Sequence, residues 1–118
     1  MVQCKIEILD ISFAALSDAT RRGVLARLAR SDASISTLAA SFDMSLTGMK
    51  KHVSVLEQAE LVTTEKVGRV RTCRLGRRDL EAELAWIEEY RRLWAARFDA
   101  LDEIVKELKM EEEADAHE

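Results

Sequence analysis

The stretch Ser45-Leu-Thr-Gly-Met-Lys-Lys-His-Val-Ser-Val-Leu-Glu-Gln-Ala-Glu-Leu-Val-Thr-Thr-Glu-Lys-Val-Gly-Arg-Val-Arg-Thr-Cys-Arg-Leu75 decides how this chain folds. In its first half Met49, Val53 and Leu56 recur at spacings of four and three, so they share one helical face that can be buried. Thr47, Gly48, Lys50, Lys51 and His52 then point elsewhere, and that outer face is small, polar and cationic. Ser45 can cap this helix, which is expected over 46–59. The second half changes period. Residues 61–66 and 70–75 are rich in β-branched side chains, with Val67-Gly68-Arg69 as the turn and Gly68 supplying the positive φ a tight hairpin needs.

Upstream, Ile6, Leu9, Phe13 and Leu16 lie at spacings of three, four and three, which predicts a short amphipathic helix over 6–16. Ser17 or Asp18 can cap a second helix over 19–30, with Val24, Leu25 and Leu28 as its buried stripe. Arg21 and Arg22 fall in its first turn, where the helix dipole favours anions. They are therefore expected to serve a phosphate or a neighbouring carboxylate. Ser34 can cap a third helix running to Phe42 and burying Ile35, Leu38, Ala39 and Phe42. Asp43-Met44 leaves a brief turn before Ser45.

Downstream, Leu80, Leu84, Ile87, Trp94, Phe98, Leu101, Val105 and Leu108 form a four-three alternation broken once at Arg91, with Tyr90, Leu93 and Ile104 widening it. Such a seam suits a long helix packed on another helix, here a second copy of the chain. A helix of about thirty residues would extend about 45 Å. The acidic residues 110–118 lack apolar spacing and are expected to be disordered, leaving 1–109 as the folded domain.

The chain has 118 residues, no proline and four glycines, with 47% hydrophobic and 34% charged side chains, which suits one helix-rich domain. The net charge of -4 conceals a segregation. Residues 20–78 carry twelve Lys or Arg against five Asp or Glu, whereas 79–118 carry five against fourteen. Phosphate attraction depends on the local field, because the Debye length is about 8 Å at physiological salt, so a basic head with an acidic tail remains compatible with DNA. No apolar run reaches bilayer length and no signal-peptide pattern opens the chain, so a cytoplasmic protein without a membrane partner is expected.

Two short helices joined by a brief turn, the second cationic, are a helix-turn-helix, and the following hairpin is a wing. The expected fold class is thus mainly α with a small β-hairpin, a winged helix-turn-helix with dimerisation helices at both ends. The expected partner is double-stranded DNA. Thr47 can reach a base edge or a thymine methyl, Lys50 and Lys51 can reach phosphates or guanine, and Gly48 permits close approach. Ser45 and His52 complete the helix surface, while Lys66, Arg69 and Arg71 are placed on or near the wing tip. Each of these has a plainer reading: a solvated lysine face, a histidine at the core edge, an edge strand kept soluble by cations.

Several motifs in this order resemble the ArsR/SmtB family of transcriptional regulators. Phe13-Ala-Ala-Leu-Ser-Asp-Ala-Thr-Arg-Arg-Gly-Val-Leu25 is similar to its L-x-D-P-T-R-x-x-I-L signature, with Ala19 in place of the usual proline. Met44-Ser-Leu-Thr-Gly-Met-Lys-Lys-His-Val-Ser-Val-Leu56 resembles its L-S-x-x-x-V-S-x-H-L-x-x-L, and Glu60-Leu-Val62 with Val67-Gly-Arg69 resembles its G-L-V and x-G-R wing. The resemblance implies a homodimeric repressor whose two reading helices, 46–59, enter successive major grooves of a pseudo-palindromic operator beside the 62–75 wings. It also implies release by an inducer or a metal.

Two departures stand out. The metal-sensing members carry Cys-x-Cys on the third helix or Asp, His and Glu ligands on the last. Here the third helix reads Ser36-Thr-Leu-Ala-Ala-Ser-Phe42, and the last helix lacks histidine until His117 in the tail, so no metal and no cofactor is expected. Lys50 stands where the family more often has serine. Cys4 and Cys73 form no CxxC or Cys/His cluster. A flanking cation beside Cys73 would lower its thiol pKa and suit a redox switch, against the plainer reading of a packed strand cysteine. Trp86, Tyr90, Trp94 and Phe98 can line an inducer pocket or form interface core. No enzyme constellation of nucleophile, base and orienting acid is present. The competing function is a winged-helix protein-interaction module whose working surface is the long acidic helix.

Overall fold

The computed structural model describes residues 2–116, with side chains from Glu7 to Asp115. Helix α1 (Val2–Leu16) is followed by α2 (Ala19–Leu28), strand β1 (Ala33–Ser34), α3 (Ile35–Ser41), α4 (Leu46–Gln58), strands β2 (Val62–Val67) and β3 (Val70–Leu75), and α5 (Glu81–Ala116). The chain divides into two units, one through Glu83 and one from Leu84.

In the first unit the caps follow from side-chain chemistry. Asp18, rather than Ser17, caps α2 by accepting from the Arg21 amide at 3.0 Å. Ser34 accepts from Thr37 N and Ser45 from Gly48 N, each at 3.0 Å, so all three helices open with one orphan amide satisfied. Asp43 turns the chain between α3 and α4 with φ 52°, and Met44 N closes on Ala39 O at 2.9 Å. Met49, Val53 and Leu56 are buried on α4 as the spacing requires, against Val24 and Leu28 of α2, Leu38 of α3, and Val62 and Cys73 of the sheet. Full burial of side chains of this size stabilises by about 1.5–3 kcal/mol each, so this face fixes which side of α4 turns outward.

Some expectations are corrected. Helix α1 begins earlier than residue 6, and its buried positions are Ser12 and Ala15; Leu9, Phe13 and Leu16 are only half-buried. The Ile6 side chain lies outside the described residues. Helix α2 stops at Leu28, and Leu25 and Phe42 are half-buried. The sheet has a third strand, in the order β1-β3-β2, all antiparallel, with Ala33 opposite Cys73. Two residues are too short to give a periodic signal, which is why β1 escapes the sequence. Val67 pairs with Val70, so the hairpin turns on Gly68 and Arg69 alone, with Gly68 at φ 63°.

Leu80 does not join the last helix. It adopts φ 66° just before α5 and packs on the core. The 36-residue α5 itself extends to Ala116, so the helix takes in residues 110–116, and 117–118 lie outside the described residues. In the second unit Leu84, Ile87, Trp94, Phe98, Leu101, Val105 and Leu108 are all exposed within one protomer. Trp86 stacks on Tyr90 at 5.8 Å between ring centroids, and Trp94 meets Phe98 at 4.4 Å. No helix among the described residues is long and apolar enough to cross a membrane.

Candidate nucleic-acid interface

The outer face of α4 and the wing converge on one groove. Ser34, Ile35, Ser36, Leu46, Lys50, Lys66, Arg69, Val70 and Arg71 line a space of about 410 Å³ between the N-terminal end of α3, α4 and the hairpin. Four of these side chains are cationic. Burying Met49 and Leu56 turns Lys50 outward, and the β2–β3 register brings Lys66 opposite Arg71. The field at this groove is therefore positive despite the acidic balance of the whole chain.

Among the expected helix residues, Thr47, Lys50 and Lys51 are exposed and free to reach outward. Ser45 is exposed, but its hydroxyl is engaged as the α4 cap. Gly48 is half-buried, and a Cβ there would lie 3.1 Å from Ser45 Oγ and 3.3 Å from Met44 Cε. The absence of a side chain thus makes room for the cap.

His52 sits at the edge of the core. Its Nδ1 accepts from Arg21 Nη1 at 3.2 Å and lies 3.8 Å from Asp18 Oδ2. The Arg21 amide, more than any other group, holds the Asp18 carboxyl below its usual range by hydrogen bonding, with lesser help from the charge of Arg21 and the Thr20 amide. Arg21 also donates to Ala15 O at 2.8 Å and Ala14 O at 3.0 Å, and Arg22 donates to Leu16 O at 2.7 Å. Both arginines therefore serve the carbonyl end of α1, where cations are favoured.

On the wing, Arg69 is exposed at the turn and Lys66 is exposed on β2. Arg71 is exposed but donates to Thr64 Oγ1 at 3.0 Å, and that hydroxyl in turn donates to Glu57 Oε1 at 3.0 Å. A hydrogen-bonded chain thus runs from α4 across β2 to β3. The i to i+7 separation of Glu57 and Thr64 spans a helix end and a turn, so no sequence periodicity could reveal it. Cys73 is fully buried, and burial, reinforced by the Glu57 charge, pushes its thiol up to about 11. The expectation of a lowered thiol pKa is therefore overturned, since desolvation outweighs the opposing charge of Arg71. Cys4 has no described side chain.

A family model described as a helix-turn-helix domain matches residues 16–65, which include α2 through α4 and the start of the wing. A crystal structure of an ArsR family transcriptional regulator is 45% identical, with 75% of this chain and 92% of that chain covered at a TM-score of 0.70. This chain belongs to the ArsR family of transcriptional regulators. An ArsR-like transcriptional regulator from Rhodococcus sp. RHA1 is 34% identical over 84% of this chain and 93% of its own, also at a TM-score of 0.70. A homodimeric winged helix-turn-helix DNA-binding domain from Mycobacterium bovis, 21% identical over 77% of this chain and 82% of its own, shares the fold at a TM-score of 0.58. No match is found among curated protein sequences. This ArsR-family chain is thus a transcriptional regulator with a helix-turn-helix DNA-binding domain, and the α3 and α4 side of the groove falls within the matched residues. Among the described residues, no group of three or more His, Cys, Asp and Glu side chains is placed to hold a metal ion.

Proposed function

We propose that this regulator is a homodimeric repressor that reads a pseudo-palindromic operator with α4 in the major groove and the wing beside it. The observation that carries this reading is the cationic groove formed by Lys50 on the outer face of α4 with Lys66, Arg69 and Arg71 on the hairpin. Thr47 and Lys51 lie on the same exposed helix surface and supply base-edge and phosphate contacts, with Ser45, Gly48 and His52 shaping the helix that presents them. Lys66 and Arg69 clamp the adjacent backbone or enter the minor groove.

The exposed seam of α5 supports the dimer. Apolar side chains from Leu84 to Leu108 at three- and four-residue spacing are exposed within their own protomer, and a second copy offers a matching seam. The Mycobacterium bovis neighbour of the same fold is homodimeric. A two-fold dimer must set its readers about 34–36 Å apart, one turn of DNA. Residence in the cytoplasm and control by a small-molecule inducer accompany this reading.

The test is a footprint on the DNA upstream of the protein's own coding region, followed by salt titration of the protected site. The expected result is a symmetric protected site whose affinity falls steeply with salt, and a slope reduced by about one in each of Lys50→Ala, Lys51→Ala and Arg69→Ala. A chain that ignores every duplex at low salt, or sediments only as a monomer, overturns the proposal.

A further inference from the structure

Arg78 follows β3 by three residues and takes no part in the cationic groove. Its guanidinium turns inward. Nη1 donates to Ser12 Oγ at 2.7 Å and to Ala59 O at 3.0 Å, and Nη2 donates to both carboxylate oxygens of Glu83, to Oε2 at 2.8 Å. Ser12 lies on α1, Ala59 is the C-cap of α4, and Glu83 stands in the first turn of α5. Ser12 is fully buried and Glu83 is 2% exposed. One side chain therefore joins three helices through buried groups.

The backbone between the partners adds a second observation. Leu80, between Arg78 and Glu83, holds φ 66°, a region that disfavours residues other than Gly, Asn and Asp. Surrounding contacts must over-determine such a conformation. The paired Arg78 and Glu83 on either side and the packing of Leu80 on the core supply that constraint.

We infer that Arg78 is a positioning residue for operator reading: its fork fixes the carboxyl end of α4 to α1 and to the first turn of α5. The inference rests on the reading of α4 as the operator-reading helix. Arg21 performs the corresponding task further up α4 through His52, so α1 is tied to the reading helix at two separate points. Base-edge recognition requires several side chains to align at once, whereas general attraction to phosphate requires only charge. Loosening α4 at Ala59 should therefore damage discrimination between sequences and spare general DNA affinity. Lysine cannot replace the fork, because a single ammonium cannot serve Ser12, Ala59 O and both Glu83 oxygens in their separate directions.

The test uses the full chain carrying Arg78→Lys, Glu83→Gln or Ser12→Ala, the last being the mildest change if the others fold poorly. The probes are the footprinted operator duplex and a scrambled duplex of equal length. The expected result is operator affinity lowered by about tenfold in Arg78→Lys, comparable to losing one base-pair contact, with scrambled-duplex affinity, salt slope and dimer sedimentation unchanged. Amide exchange should quicken together at residues 59–62 and 81–83. A wild-type ratio of operator to scrambled affinity in a folded variant, or equal loss on both duplexes, overturns the inference. If the unmodified chain binds no duplex, the operator reading fails by itself. The exchange arm then still decides on the clamp: unlinked or unchanged exchange at the two segments overturns it.

Discussion

Arg21 on α2 and His52 on α4 are joined by a hydrogen bond of 3.2 Å from guanidinium Nη1 to imidazole Nδ1. An arginine can only donate, so Nδ1 accepts and the imidazole proton resides on Nε2. The same guanidinium closes the carbonyl end of α1 through Ala14 and Ala15. Arg21→Ala should destabilise the fold by about 1.5–3 kcal/mol, the range for hydrogen bonds to a charged group, as read by urea denaturation. It should leave the salt slope of DNA binding untouched. A slope lowered by about one would instead place Arg21 on a phosphate.

The wing is held against α4 by a hydroxyl. Thr64 Oγ1 accepts from Arg71 and donates to Glu57, so Thr64→Val keeps the shape and severs both links. A loss of about 1 kcal/mol in unfolding free energy is expected. Because Arg71 is partly spent on Thr64 while Arg69 is not, Arg69→Ala should reduce the salt slope more than Arg71→Ala. Equal reductions in a direct comparison would count against the tether.

Cys73 should be chemically silent in the native protein. With its thiol at about 11, roughly one molecule in a thousand carries a thiolate at pH 8, and full burial denies a reagent access to it. In a Cys4→Ser background, iodoacetamide should label Cys73 only after denaturation. Rapid labelling of folded protein would restore a redox role.

Glu60 occupies the position just past the C-cap of α4 with φ 60°, and Leu61 N closes the motif on Leu56 O at 3.0 Å. Glycine takes this left-handed conformation without the steric cost a Cβ imposes. Glu60→Gly should therefore raise stability by about 0.5–1 kcal/mol in spite of its freer unfolded chain. Thermal unfolding checks the direction: a lower midpoint would mean that the Glu60 side chain makes an offsetting contribution.

Asp18 carries a pH signature. Its carboxyl is held below the ordinary value of 3.8 in the folded protein, first by the Arg21 amide, so its stabilising effect is complete above that value and is lost as pH falls below it. Asp18→Asn keeps a capping oxygen but cannot ionise. Its stability deficit should be present at pH 7 and should shrink as the medium is acidified below about pH 3.8. A deficit that stays constant with pH would show that the charge of Asp18 is immaterial.

Much of the molecule was legible because local periodicity and local chemistry agree. The buried triad Met49, Val53 and Leu56, the serine caps at 34 and 45, and the glycine at the hairpin turn are each settled within a few residues of chain, and with them the winged helix and the outward face carrying Lys50 and Lys51. Polar partners from distant segments were not legible. That Arg21 closes the end of α1, whether the Cys73 thiol is lowered by a cation or raised by burial, and which groups surround Arg78 depend on where separate elements are brought by packing. Hydrophobic spacing fixes which side of each helix is covered, since burial is nearly indifferent to partner identity. Hydrogen bonds and ionisation depend on distances of a few ångströms between groups as far apart in sequence as Ser12 and Arg78, and those exist only once the chain has folded.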